Sequence, residues 1–313
     1  MLTHKKRQIL FWFSIIFFVA ILAPIFLYSF GYGVGPGLKI QRTGGIAITA
    51  SIANATVSTG SFRKKKTSLL TKNTLIKNLV PAEYPVEVKK EGFWEWKKNL
   101  SVLSEKVTQR NILLIPLETK GEILGTTTPA NSEPYLKKNS LKKLDENGKE
   151  VTLFSSVKRF WELPNSGEYL ILGEDKNFYR NKKLETSLAT STLEILKKSK
   201  NSFFSEDGKE IIIWDDKKIE LFWIGEKEKM PLWMNKEHYD SFTSSNIKEV
   251  KNYPGQSDYL IIGMENGIWA LEKEAPNNNL APLYKGKNPK IISIEPKSLI
   301  LLDDGNYINL ELP

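Results

Sequence analysis

Residues 9–30 read ILFWFSIIFFVAILAPIFLYSF, a stretch of about 22 residues with no charge. At 1.5 Å per residue it makes a helix of roughly 33 Å, enough for the ~30 Å hydrocarbon core of a bilayer. In lipid the backbone must satisfy its own hydrogen bonds, so one such segment crosses as a helix. The tag 1–8 in front of it carries His4, Lys5, Lys6 and Arg7, whereas the far flank has no cation before Lys39 and Arg42. The positive-inside bias places the N-terminus in the cytoplasm and the chain from about residue 31 outside. A cleaved signal peptide is the rival reading. Its apolar core spans about 7–15 residues and ends at a small-x-small site. This core is longer, and Leu22-Ala23-Pro24 sets a proline beside the scissile bond. A buried soluble helix of this length would carry a polar stripe, and none is present. Pro24 removes one backbone hydrogen bond, so a kink is expected there.

Composition narrows what lies beyond. The 313 residues leave room for two ordinary domains after an anchor. Cysteine is absent, so no disulfide staples an extracytoplasmic portion and burial alone must hold it. The only histidines are His4 and His238, which removes Cys/His zinc sites and leaves His238 alone for any histidine triad. Charge is uneven. Residues 31–120 carry 15 Lys or Arg against 6 Asp or Glu, about +9; residues 201–313 carry 13 against 19, about −6. The basic half includes Arg63, Lys64, Lys65 and Lys66. Outside the cytoplasm nucleic acid is not the expected partner. Anionic head groups or acidic wall polymers are the physical candidates, beside a plain lysine-rich solvated surface.

The span is followed by Gly31-Tyr32-Gly33-Val34-Gly35-Pro36-Gly37, which cannot propagate a helix and is expected to form a hinge over 31–43. Short alternating runs follow at 45–50, 55–60, 84–90, 98–104 and 110–117, the pattern of a small all-β sandwich. Gly45-Ile46-Ala47-Ile48, then Ala55-Thr56-Val57, then Leu79-Val80-Pro81-Ala82-Glu83-Tyr84-Pro85-Val86-Glu87-Val88-Lys89-Lys90-Glu91-Gly92-Phe93 resemble, in order, the pattern of the PEGA domain. Ala82 replaces a usual turn glycine, and the P-E-G-A tetrad is not literal. Pro85 inside the run points to an edge strand. The resemblance covers 44–117 and implies a β-sandwich acting as a binding or spacer module with no catalytic residues. Residues 118–140 are polar and rich in Thr, Pro, Asn and Ser, the composition of a linker.

From 141 to 313 the sequence repeats. A turn, a short apolar run and another turn recur with apolar cores starting near 170, 211, 260 and 299, a period of roughly 40–50 residues, as in propeller blades. A second, half-apolar strand follows each core. Phe204-Ser205-Glu206-Asp207-Gly208-Lys209-Glu210-Ile211-Ile212-Ile213 resembles the S-P-D-G-K-x-I-x-F turn of TolB-like and WD-type propellers, with its proline missing. About four repeats are expected, closed by 149–155 pairing with the terminal sheet.

Chemistry-bearing motifs are few. Nucleotide loops, the GxSxG elbow and HExxH are absent. Glu174-Asp175, Asp215-Asp216 and Asp303-Asp304 recur after the apolar runs; they fit strand-ending turns better than a calcium site. Phe93, Trp94 and Trp96 beside Lys97 and Lys98 suggest a docking platform, because Trp94 and Trp96 would share one strand face; packing beneath loops is the alternative. Trp161, Trp214, Trp223, Trp233 and Trp269 are expected in blade cores. His238 is expected on the surface. No metal and no cofactor is expected. The chain is therefore expected to be mainly β, with a single transmembrane helix, a PEGA-like sandwich and propeller-like sheets. Its expected function is membrane-anchored binding or scaffolding toward a protein or cell-envelope polymer. A propeller enzyme acting on glycans, small esters or lactones and a sensor subunit are the alternatives.

Overall fold

The computed structural model describes residues 4–313 apart from 61–62, 127–133, 146, 165, 232, 235, 245 and 275–278, and the chain divides into units 1–114 and 115–313. Helix His4–Ser29 runs through Pro24, and its Lys5–Ser29 portion is long and apolar enough to cross a membrane, with none of it buried against protein. Residues expected to hinge instead pair, Tyr32–Val34 against Ile40–Arg42, around a short turn.

The rest of the first unit is a sandwich. One sheet orders Asn73–Leu79, Gly44–Ala50 and Val107–Ile112, the last pair parallel. The other orders Arg63–Lys66, Thr56–Thr59, Ala82–Lys89 and Trp96–Val102. Pro85 lies on Ala82–Lys89, between two neighbours, rather than on the edge its lost N–H suggested. Inward residues alternate strictly along Trp96–Val102, and Ile46, Ile48, Val57, Ile76, Val88, Trp96 and Leu100 meet in one core. Each such side chain contributes about 1.5–3 kcal/mol by leaving water.

Among the described residues the second unit holds five sheets in sequence, one more than the repeat predicted. The first is Tyr135–Lys137, Ser140–Leu144 and Glu150–Ser155. Three four-stranded meanders follow, starting at Val157–Leu163, Asn201–Phe204 and Glu249–Asn252. The last runs Lys290–Glu295, Ser298–Asp303, Asn306–Glu311, and its outermost strand is Gly121–Gly125 from the other end of the unit. The closing strand thus comes from the expected linker, and residues 149–155 belong to the first sheet. Four of the five strand residues, 121–124, are exposed. A strand that buries so little carries no apolar pattern to read. Residues 127–133 of that linker lie outside the described residues.

The second strand Tyr259–Met264 is buried along its whole length, and Glu168–Gly173 and Glu210–Trp214 are buried over part of theirs. Adjacent sheets are pinned by polar contacts. The Trp161 indole donates to Ser202 Oγ at 2.9 Å and Asn252 Nδ2 to the Phe204 carbonyl at 2.9 Å. The Ile291 N–H donates to Glu249 Oε1 at 2.6 Å. Lys273 Nζ lies 2.6 Å from Glu210 Oε2, the two side chains only 2% and 7% exposed. The unit is propeller-like by this topology.

Candidate functional site

The first strands of the three meanders and of the last sheet end on one cavity. It measures about 790 Å³ and is lined at the C-terminal ends of Val157–Leu163, Asn201–Phe204, Glu249–Asn252 and Lys290–Glu295, with Pro134 just before the first sheet. Phe160, Trp161, Glu162 and Leu163 all line it; Trp161 and Leu163 are buried, Phe160 is half-buried and Glu162 is exposed. Phe203 and Trp214 meet edge to face at 5.5 Å on the wall, and both remain half-buried. Glu162, Glu206 and Glu295 are exposed at the lining, opposed by Lys251.

Beneath this wall lies a fixed polar layer. Arg159 Nη1 donates to the carbonyl of Leu196 at 3.1 Å and to that of Ser199. These carbonyls end helix Thr190–Lys198, where a cation is favourable. Arg159 also lies 4.7 Å from the Trp161 ring, and burial lowers its pKa from the ordinary arginine value. Ser202 contacts Ser199 Oγ at 2.8 Å. The Glu206 carboxylate accepts the Gly255 N–H at 3.0 and 3.2 Å, joining two rims of the cavity. Among the described lining residues are the serines Ser166, Ser202 and Ser205 and three glutamates, but no histidine, aspartate or cysteine.

The sequence-derived candidates lie elsewhere, on the sandwich, and are not brought together. Lys64, Lys65 and Lys66 are exposed on the edge strand Arg63–Lys66; the side chain of Arg63 is outside the described residues. Lys65 Nζ donates to the Leu75 carbonyl at 2.8 Å. Phe93–Lys98 leads into the opposite edge of the same sheet. The expected tryptophan pair does not form a platform. The strand begins only at Trp96, which is 3% exposed in the core, while Trp94 precedes it and is 37% exposed. Phe93 packs against that core and Lys98 is buried. Lys97 lies 2.9 Å from Glu95 and 3.4 Å from Glu87.

The acidic pairs are turn-builders. Asp215 Oδ1 accepts the N–H groups of Lys217 and Lys218 at 2.8 and 2.9 Å, and the Lys217 bond holds its pKa below the ordinary value. Asp175 accepts the Tyr179 hydroxyl and the Asn177 N–H, the tyrosine bond being the main cause of its lowered pKa. Asp303 Oδ2 accepts the Tyr284 hydroxyl at 2.9 Å and the Lys287 N–H at 3.1 Å. His238 is exposed and stacks on Phe222 with centroids 4.2 Å apart. Its Nε2 is 2.9 Å from Glu220 Oε1, and Asp240 completes a group whose ligand-type atoms lie within 4.8 Å of one another. Lys218 already neutralises Glu220 at 2.9 Å, so the group is complete as a surface charge network.

The axial cavity escaped sequence reading because its walls come from strand ends some 40–50 residues apart. The available signal was the aromatic–acid pair Phe160/Glu162 on one face of an otherwise buried strand.

No protein-family model matches the chain, and no curated protein matches it in sequence. Among solved structures it is similar to a structural genomics protein of unknown function from Bacteroides thetaiotaomicron VPI-5482, at 8% identity over 82% of this chain and 90% of that one, with a TM-score of 0.29. It is also similar to the AfRom2 CNH domain, at 10% identity over 82% of this chain and 70% of that one, with a TM-score of 0.28.

Proposed function

We propose that the protein is a membrane-anchored binding or scaffold protein. Its second unit presents the axial cavity to a protein or cell-envelope polymer. The N-terminal helix is the single-pass anchor, with the basic tag inside and both β units outside the cytoplasm. The sandwich, read as PEGA-like, is the spacer. The observation that carries the reading is the cavity itself. Four separate strand ends converge on it, and its wall offers half-buried aromatic faces beside exposed carboxylates. Aromatic faces flanked by polar groups suit sugar rings or extended peptide. Anchoring to one surface would add avidity without new contacts.

The test is binding of the full-length chain in lipid nanodiscs to an array of envelope oligosaccharides and peptides, repeated with Phe160→Ala/Trp214→Ala. A ligand bound by the parent and lost by the variant is the expected result. Turnover of glycoside, ester or lactone probes would favour the enzyme reading, and equal binding by parent and variant would move the site elsewhere.

A further inference from the structure

The hairpin that follows the helix has one face against protein and one face exposed. Pairing sets Tyr32 opposite Arg42, Gly33 opposite Gln41 and Val34 opposite Ile40. Strand alternation therefore puts Gly33 and Gln41 on one face and Tyr32, Val34, Ile40 and Arg42 on the other. The glycine face lies against protein. A Cβ on Gly33 would come within 2.7 Å of Thr43 Cγ2 and 3.4 Å of Val80 Cγ2, and one on Gly35 within 3.3 Å of Val80 Cγ1. The opposite face is bare. Val34 is 62% exposed, Ile40 59%, and Leu38 at the tip 85%.

Leu38 is the least expected of the three. Its φ is +57°, directly after Gly37 at +71°. That left-handed region suits glycine or asparagine and disfavours a leucine. A turn lying in water gains nothing from leucine there, so the side chain must be useful for its apolar surface. Nor does the hairpin swing free. The Gly31 carbonyl, at the end of the helix, accepts both the backbone N–H of Thr43 at 2.7 Å and its hydroxyl at 2.8 Å. Ser104 Oγ donates to the Arg42 carbonyl at 3.1 Å, the Glu105 N–H to the Thr43 carbonyl at 3.0 Å, and the Arg42 guanidinium pairs with Glu105. An apolar face held this firmly is presented to something.

We propose that this something is the bilayer that holds the helix: the hairpin is an interfacial anchor whose Val34, Leu38 and Ile40 enter the boundary between head groups and acyl chains. The inference rests on the membrane-anchored reading above. Connectivity selects lipid over a protein partner. The first hairpin strand starts three residues after the last helical one, so its base stays within about 10 Å of the helix end, and its tip lies only some five residues farther. Tyr28 and Tyr32 flank the junction, where amphipathic rings favour the interface. Exposed Lys39 stands between Leu38 and Ile40, placed to reach lipid phosphate while its neighbours insert.

The chain has no cysteine, so single-cysteine variants can be labelled cleanly. A nitroxide would be attached in turn at positions 34, 38 and 40, at Val19 in the helix, and at Leu70, a 93% exposed residue of the sandwich. The full-length protein would be reconstituted in phosphatidylcholine–phosphatidylglycerol vesicles, and accessibility to oxygen and to a water-soluble nickel chelate measured by power saturation. The expected pattern is deep lipid at 19, water at 70, and chelate-protected, oxygen-accessible shallow lipid at 34, 38 and 40. Labels at 34, 38 and 40 as open to the chelate as that at 70, with 19 still in lipid, would overturn the interfacial anchor and leave the helix reading intact. A chelate-accessible label at 19 would overturn both.

Discussion

The sandwich and the propeller-like unit solve the same problem differently. The sandwich gathers its inward residues into one core, and its strands alternate in burial as they must when only one face is covered. The second unit has no single core of that kind. Its apolar residues divide into clusters at successive seams, around Leu141 and Ile171, around Leu170 and Ile211, and around Ile212 and Ile262. Among its second strands, Tyr259–Met264 is buried throughout and reads as an unbroken apolar run, while Ser298–Asp303 alternates. The sandwich therefore depends on packing in one place, and the propeller-like unit depends on the contacts that hold each seam shut.

The sharpest way to break this comparison is at a seam. Lys273→Met leaves Glu210 buried beside an apolar neighbour. The expected cost is about 3–5 kcal/mol, read by chemical denaturation of the full chain in detergent. Lys273→Met/Glu210→Leu should recover much of that loss; a single variant as stable as the parent would show that the ion pair does not hold the seam. In the sandwich, Ile48→Ala at a fully buried position should cost about 2–5 kcal/mol through the cavity it leaves. Amide exchange should locate that loss in strands around residues 44–112 and leave 157–311 unchanged.

A smaller effect of opposite sign is expected at Glu249. Burial raises its pKa above the ordinary carboxylate value, partly offset by the Ile291 N–H. The folded state then holds this proton more tightly than the unfolded chain does. The carboxylate thus costs stability above its folded pKa, and the cost fades as pH falls through that value. Glu249→Gln keeps an acceptor for Ile291 and should raise the denaturation midpoint at pH 8, with the gain shrinking on acidification. A pH-independent gain would point to packing instead. Smallest is Asp215→Ala, which removes two backbone acceptor contacts in a turn and should cost about 0.5–1.5 kcal/mol.

The comparison also explains what could be read in advance. Apart from Arg63–Lys66 and Asn73–Leu79, which were not among the expected runs, the helix, the sandwich strands and four of the five sheets announce themselves because each buries enough apolar surface to impose a period. The first sheet does not, since Leu141 is the one residue of its described strands that is fully buried. Nor does Gly121–Gly125, whose role is to satisfy a backbone edge. Glycines 31–37 read as a hinge because glycine permits flexibility. Here Gly33 serves close approach to Thr43 and Val80, and Gly35 to Gln41 and Val80. Trp94 and Trp96 were expected to share one strand face, but the strand begins at Trp96 and leaves Trp94 outside it. The cavity was illegible for another reason: strands of four separate sheets, rather than any local motif, bring Glu162, Phe203, Lys251 and Glu295 around one space.

The central claim is that this space is where the protein binds. It is tested most directly by the hydrogen-exchange footprint of whichever array ligand the anchored full-length chain retains. The account predicts simultaneous protection of four separated segments, 160–167, 202–206, 250–255 and 294–296. Protection confined to the sandwich edges, at 63–66 or 93–98, would contradict it.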